Sequence, residues 1–188
     1  MKKEYLSLKG IHTVTKSRLT DDAAWDIQAE LVRLESEGRY EEFKELLTEF
    51  NKEYGVESFV VENVTPTEGR TEIARALTGD LSAIAEIEIN YVALGDDNTA
   101  ENIADTALGN EVFRKQFSSR THTDNIAYVT AFYTTGDTDG TYEEHGLFIN
   151  GGAGADSGSI ISRLLLGGLV KSAIETLTID TAITINDA

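Results

Sequence analysis

The stretch Tyr91-Val-Ala-Leu-Gly-Asp-Asp-Asn-Thr-Ala100, continued by Asp105-Thr-Ala-Leu-Gly109 and Glu111-Val-Phe-Arg-Lys115, sets the reading of the whole chain. It reads as strand, polar loop, strand. Leu94-Gly95 and Leu108-Gly109 close the two ends of the loop alike. Glycine supplies backbone angles that other residues adopt only at a cost, and each leucine can anchor a loop end in a core. Between these stops lie Asp96, Asp97, Asn98, Thr99, Glu101, Asn102, Asp105 and Thr106, a segment rich in acceptors. Asp96, Asp97, Asn98, Glu101 and Asn102 are therefore the expected partner-facing surface.

Working outward, Ile84 to Val92 alternates Ile87, Ile89 and Tyr91 with Glu86, Glu88 and Asn90. A period of two with one apolar face predicts a half-buried antiparallel strand. Glu111 to Arg120 reads as a second strand, and Asn125 to Tyr133, apolar on both faces, as a central one. Val56 to Val64, Gly146 to Ile149, Ser159 to Leu166 and Ile174 to Ile185 complete about seven strands separated by turn signals. That pattern predicts a mainly antiparallel β-sandwich over residues 56–188. Pro66 breaks the chain, and a short helix is expected near 71–78, with Ile73, Ala74 and Leu77 inward and Gly79 as its stop.

Residues 20–55 predict a helical hairpin. Thr20 or Asp21 can cap a first helix over Asp21–Glu37, with Asp21, Asp22 and Asp26 at the positive end of its dipole. Ala24, Ile27, Leu31 and Leu34 recur at helical spacing, flanked by Trp25 and Val32, and Gly38 stops the helix. A second helix over Tyr40–Tyr54 carries Phe43, Leu46, Leu47, Phe50 and Tyr54 on one face. Helices this short gain most of their stability from packing, so something must cover those faces. Either the β module or a neighbouring copy could do so; Trp25, Ile27, Leu31, Phe43, Leu47 and Phe50 are the expected assembly residues. The fold class expected is α+β.

Residues 1–19 hold Lys2, Lys3, Lys9, Lys16 and Arg18 against Glu4, a net +4. Lys2, Lys3 and Lys9 fit an N-terminal arm that docks on an acidic neighbour or another copy, or an edge strand whose lysines discourage aggregation. The 188-residue chain as a whole is acidic, with a net charge of −17, and residues 20–57 alone contribute −8. Such a charge argues against nucleic acid, whose binding depends on neutralising phosphates, and against anionic lipid. No apolar run of about 18 residues and no signal segment is present, so neither a membrane span nor export is expected. Without cysteine, disulfides and thiolate metal sites are excluded.

Catalytic and cofactor motifs are lacking. His12, His122 and His145 form no metal-ligand spacing, and His145 reads as a sheet-edge or turn residue. Gly151 to Ser159 has the glycine content of a phosphate-cradling loop but lacks its Lys-Ser/Thr and a following helix. Asp137 to Glu143 and Asp96-Asp97-Asn98 are oxygen-rich without EF-hand spacing. No Gly-x-Ser-x-Gly elbow occurs, and carboxylates are too plentiful to single out a glycosidase pair. The expectation is a protein that is not an enzyme and takes no cofactor and no metal.

Gly69-Arg70 with Ile73-Ala-Arg-Ala-Leu77, Tyr91 to Gly95, Asp105 to Lys115 and Glu144 to Phe148, followed by a Thr/Ile-rich last strand, together resemble a module from structural proteins of tailed bacteriophages. The resemblance covers about residues 59–188; residues 1–58 match nothing nameable. It implies a non-enzymatic virion protein of the tail-fibre, baseplate or other appendage type. Its partners would be copies of itself and other virion proteins, and its place the virion, assembled in the host cytoplasm. The alternative is a module that binds a host receptor or surface carbohydrate, and a third a hydrolase of cell-wall polymer. Aromatics at loop tips would favour glycan binding; Phe113, Phe117, Tyr128, Phe132 and Phe148 fall within expected strands, which favours structure.

Overall fold

A computed structural model describes residues 6–187. Lys2 and Lys3 lie outside the described residues. Within them the chain is α+β: two antiparallel sheets packed face to face, with three helices. The elements are β1 (Leu6–Arg18), α1 (Asp22–Ser36), α2 (Tyr40–Tyr54), β2 (Gly55–Glu62), α3 (Thr67–Thr78), a 3₁₀ turn at Ile84–Ile87, β3 (Ile89–Gly95), β4 (Glu111–Gln116), β5 (Ser119–Thr123), β6 (Ile126–Tyr133), β7 (Gly140–Ile149), β8 (Ser159–Lys171) and β9 (Glu175–Asp187). Sheet order is β2-β1-β9-β6-β5 in one layer and β4-β3-β7-β8 in the other.

The core lies between the sheets. Val14, Val129, Ala131, Tyr133, Leu177 and Ile179 meet Val92, Leu94, Leu147, Ile149, Leu164 and Leu166, all buried. These residues occupy alternate positions on their strands, as a pleated surface with one buried face requires. Strand β6 is an inner strand, paired on both sides, as its two apolar faces imply: Tyr133 points into the sandwich and Phe132 out of it.

The outward Phe132 explains the hairpin. Leu31, Leu34, Phe43, Leu47 and Phe50 pack with it into a separate cluster on the back of the five-stranded sheet. The Phe43 and Phe132 rings meet edge to face, with centroids 6.0 Å apart. Helix α1 starts where Asp21 Oδ1 accepts the Ala24 N–H at 2.9 Å. It stops at Gly38, whose φ of +68° suits a residue without Cβ, and the Arg39 N–H closes back onto the Leu34 carbonyl.

The segment read as an arm is, over Leu6–Arg18, an inner strand. β1 pairs with β9 along thirteen residues and with β2 on its other side. The five-stranded sheet therefore draws on the chain both before and after the hairpin, and the division at residues 19 and 55 does not separate independent sheets. Three further boundaries differ from expectation. Ile84–Ile87 turns instead of extending, because Glu86 Oε1 accepts the Ser82 and Ala83 N–H groups at 2.8 and 3.0 Å. The expected strand Glu111–Arg120 is two strands in different sheets: at the corner Ser118 donates its N–H to Thr130 O and accepts the Phe132 N–H on its hydroxyl. Helix α3 begins directly after Pro66, and Leu77, expected inward, is 79% exposed.

Candidate functional site

The outer face of the four-stranded sheet is where the motif segments converge. Tyr91 and Ala93 on β3, Phe148 on β7 and Ile160 on β8 form an apolar patch there, and Leu108 covers it. Loop 96–110 lies over this face. Leu94 is fully buried in the main core and Leu108 is 6% exposed, so both anchors act as the sequence implies.

A buried ionic node fixes the loop. The Glu144 carboxylate, inaccessible to solvent, accepts the N–H groups of Gly109 at 3.1 Å and Asn110 at 3.0 Å. Arg163, 2% exposed, donates Nε to Glu144 at 2.8 Å, Nη1 to Asp105 at 2.7 Å and Nη2 to the Thr99 carbonyl at 3.0 Å. Burial opposes the Arg163 charge, and its bonds to Asp105 and Glu144 more than offset that, so its pKa is raised. Gly109 is needed where it stands, since a Cβ there would lie 2.6 Å from the Asp97 side chain.

A second charged group flanks the first. Arg114 lies 4.1 Å from the centroid of the Phe148 ring and pairs with Glu111 at 2.6 Å, both side chains almost fully covered. Arg114 also holds the Ser157 carbonyl, and Glu111 accepts the Asp156 N–H. Asn90 exchanges two 2.9 Å bonds with Gly151. The glycine-rich loop 151–159 is thus tied down by its own chain.

The five loop residues expected to face a partner do so unequally. Asp96, Asn98 and Asn102 are exposed, whereas Asp97 and Glu101 are half-buried. Asp96 accepts from the Asn110 amide, Asp97 from the Thr99 N–H and Asn102 from the Ala104 N–H. Hydrogen bonds from Thr99 hold the Asp97 carboxyl below its usual range. Asn98 and Glu101 have no such bond among the described residues, and Ile103, 59% exposed, adds an apolar tip. Main chain also pins this tip, since the Thr67 N–H reaches the Ile103 carbonyl at 2.8 Å.

The expected assembly residues need correction. Leu31, Phe43, Leu47 and Phe50 are spent on the chain's own sheet, with Ile27 packed beside them, so they offer no free stripe. The physical reason is that Phe132 and its neighbours on the back of the sheet need the same cover. Trp25 remains 42% exposed. Lys9 pairs with Glu62 at 2.6 Å, across the β1–β2 ladder.

Two histidines also come together, contrary to the reading of His145 as an edge or turn residue. His12 on β1 and His145 on β7 face each other in the sandwich with ring centroids 6.3 Å apart, and Tyr133 meets His145 at the same distance. His12 is held by Thr181 at 2.8 Å and Ser162 at 3.1 Å. Among the described residues neither His145 nitrogen, nor the Tyr133 hydroxyl, has a hydrogen-bond partner. Burial lowers the His12 pKa to about 4, and burial together with the nearby His12 holds that of His145 well below the usual imidazole value. His122 is exposed on β5. Among the described residues no three His, Asp or Glu side chains gather as metal ligands.

An open cleft of about 370 Å³ runs between α2 and the five-stranded sheet, lined by Lys44, Thr48, Asn51, Tyr128, Thr130 and Asp180. Thr130 donates to Asp180 at 2.7 Å, and Asn51 bonds Ser17 and Thr178. Comparison of the chain with known protein families, curated proteins and solved structures finds no match.

Proposed function

We propose that the chain is a non-enzymatic structural protein of a tailed phage particle: an appendage or connector subunit of a tail fibre, baseplate, collar or head fibre. It assembles with copies of itself and with other virion proteins. One observation carries the reading. The segments that resemble phage structural modules, Tyr91–Gly95, Asp105–Lys115 and Glu144–Phe148, meet at a single place, the clamp of Glu144, Arg163 and Asp105 under loop 96–110. The charged groups there are consumed in holding backbone, and none is left aimed at a substrate. Their product is a loop pinned against the sheet with Asn98 and Ile103 left outward, which suits attachment.

The attachment surface on this reading is Asn98, Glu101 and Ile103, the side chains the loop does not use internally. The test is quantitative mass spectrometry of purified particles. The parent chain should appear at fixed stoichiometry, and a variant with Asn98→Ala, Glu101→Gln and Ile103→Ser should be incorporated several-fold less. Absence of the parent chain would remove the virion role; normal incorporation of the variant would remove the loop as its attachment surface.

The α2 cleft supports a second reading, recognition of host-surface carbohydrate. It sets a half-buried Tyr128 ring beside Asp180, Asn51 and Lys44, an aromatic wall with a few convergent polar groups. A glycan array that is blank for the parent chain would dispose of it.

A further inference from the structure

From the geometry of its free edge we infer that strand β2 pairs with β2 of a second copy, joining two five-stranded sheets into one across a two-fold axis at Ser58. The inference rests on the proposed role as an assembling subunit and names the interface. Four strands end a sheet, and three are shielded. β5 spans only five residues, and β4 carries Glu111, Arg114 and Lys115 within six. β8 is bridged at its outer side by Val64 opposite Arg163, and α3 packs on it closely enough that a Cβ on Gly69 would meet the Ile161 Cα at 2.7 Å. β2 has eight residues with no proline and no lysine, and exposes Val56 and Val60 at 51% and 64%. Among the described residues no strand lies on its outer side. Bare edges of this kind template pairing with another chain.

Parity selects the register. The Asn63 N–H bonds the Gly10 carbonyl, so the odd residues Glu57, Phe59 and Val61 face β1, and Val56, Ser58, Val60 and Glu62 turn N–H and C=O outward. The even side chains also share the helix-covered side of the sheet, where Ser58 Oγ meets Thr15 Oγ1 at 3.2 Å. An antiparallel pair centred on Ser58 sets each Val56 against the other copy's Val60, with outward-facing donors and acceptors at every bonded position. Glu57 then lies opposite Phe59, so no carboxylate opposes a carboxylate. Glu57 and Glu62 are already neutralised by Lys16 and Lys9 at 2.7 and 2.6 Å. Self-complementarity of one patch is what a two-fold interface demands.

Sedimentation equilibrium of the full chain tests this together with a nitroxide label on Ser58→Cys, which the absence of native cysteine makes unique. The parent should dimerise, and labels on the axis should broaden each other's spectrum. Val60→Pro removes an N–H that serves only the partner, so it should abolish the dimer while the fold, checked by circular dichroism, persists. Val60→Lys, which needs no backbone change, should weaken dimerisation about ten-fold or more. A monomer at all concentrations overturns the inference. So does a dimer that survives both substitutions without broadening, which would leave the virion role, read separately from particle composition, intact.

Discussion

Glu144→Ala is the substitution that most severely tests the loop clamp. Three donors converge on this carboxylate: two backbone N–H groups and Arg163 Nε, all within 3.1 Å. Truncation leaves Arg163 with Asp105, whose side chain is 21% exposed, and the Thr99 carbonyl as its remaining partners. Breaking a buried ion pair from one side costs about 3–5 kcal/mol, because the surviving charge stays desolvated. The two N–H groups are at the loop's edge, so water entering the vacated space offsets part of their loss. In a chain of 188 residues, each kcal/mol moves the melting temperature by roughly 2–4 °C, so the expected fall is about 6–20 °C. Urea titration followed by circular dichroism gives the free energy. Amide exchange of Gly109 and Asn110 should quicken well beyond that of the sheet. A variant within about 1 kcal/mol of the parent, with both amides still protected, would show that the clamp does not hold the loop.

Leu108→Ala should cost about 2–3 kcal/mol, the lower part of the usual range, because its cluster is small and close to solvent; the double variant Asn98→Ser, Glu101→Gln should stay within about 0.5 kcal/mol by the same urea titration. Phe43→Ala should cost about 3–5 kcal/mol and loosen the hairpin, visible as faster exchange in α1 and α2 with the sandwich core still protected. Because the folded His12 pKa lies below its unfolded value, its contribution is complete above pH 6.5 and disappears as pH falls toward about 4. At 1.36 kcal/mol per pKa unit, His12 alone withdraws about 3 kcal/mol over that window. His145→Leu removes two unpartnered buried nitrogens, and urea titrations across the same window should show a flatter pH profile with no loss of stability at pH 7.

What could be read from sequence is what local physics decides. The helices were legible because caps and a 3.6-residue period lie within each segment: Asp21 caps, Gly38 stops, and Leu31, Leu34, Phe43 and Phe50 mark one side. The sandwich was legible because Leu177, Ile179, Ile183 and Ile185 on β9 alternate with polar residues, and because β6, apolar on both faces, marks a strand with neighbours on both sides. What escaped depends on partners far away in the chain. Ser118 turns a continuous-looking strand into a corner only because Thr130 and Phe132 receive it. β1 is an inner strand because β9, more than 150 residues later, pairs along all of it. The clamp left a fainter signal that pairing arithmetic could have caught: Arg163 is a lone charge within Ile160–Leu166, and Glu144 adjoins the uncharged run His145–Ile149. Each needs a partner of opposite sign.

The proposed place of this chain in a phage particle is tested most directly by immunogold labelling of intact, purified virions. Gold should mark one discrete, repeated position on the tail, baseplate, neck or head fibres and be lost when the chain's gene is deleted. Particles that carry no gold, with the protein recovered wholly from the soluble fraction of the lysate, would contradict it.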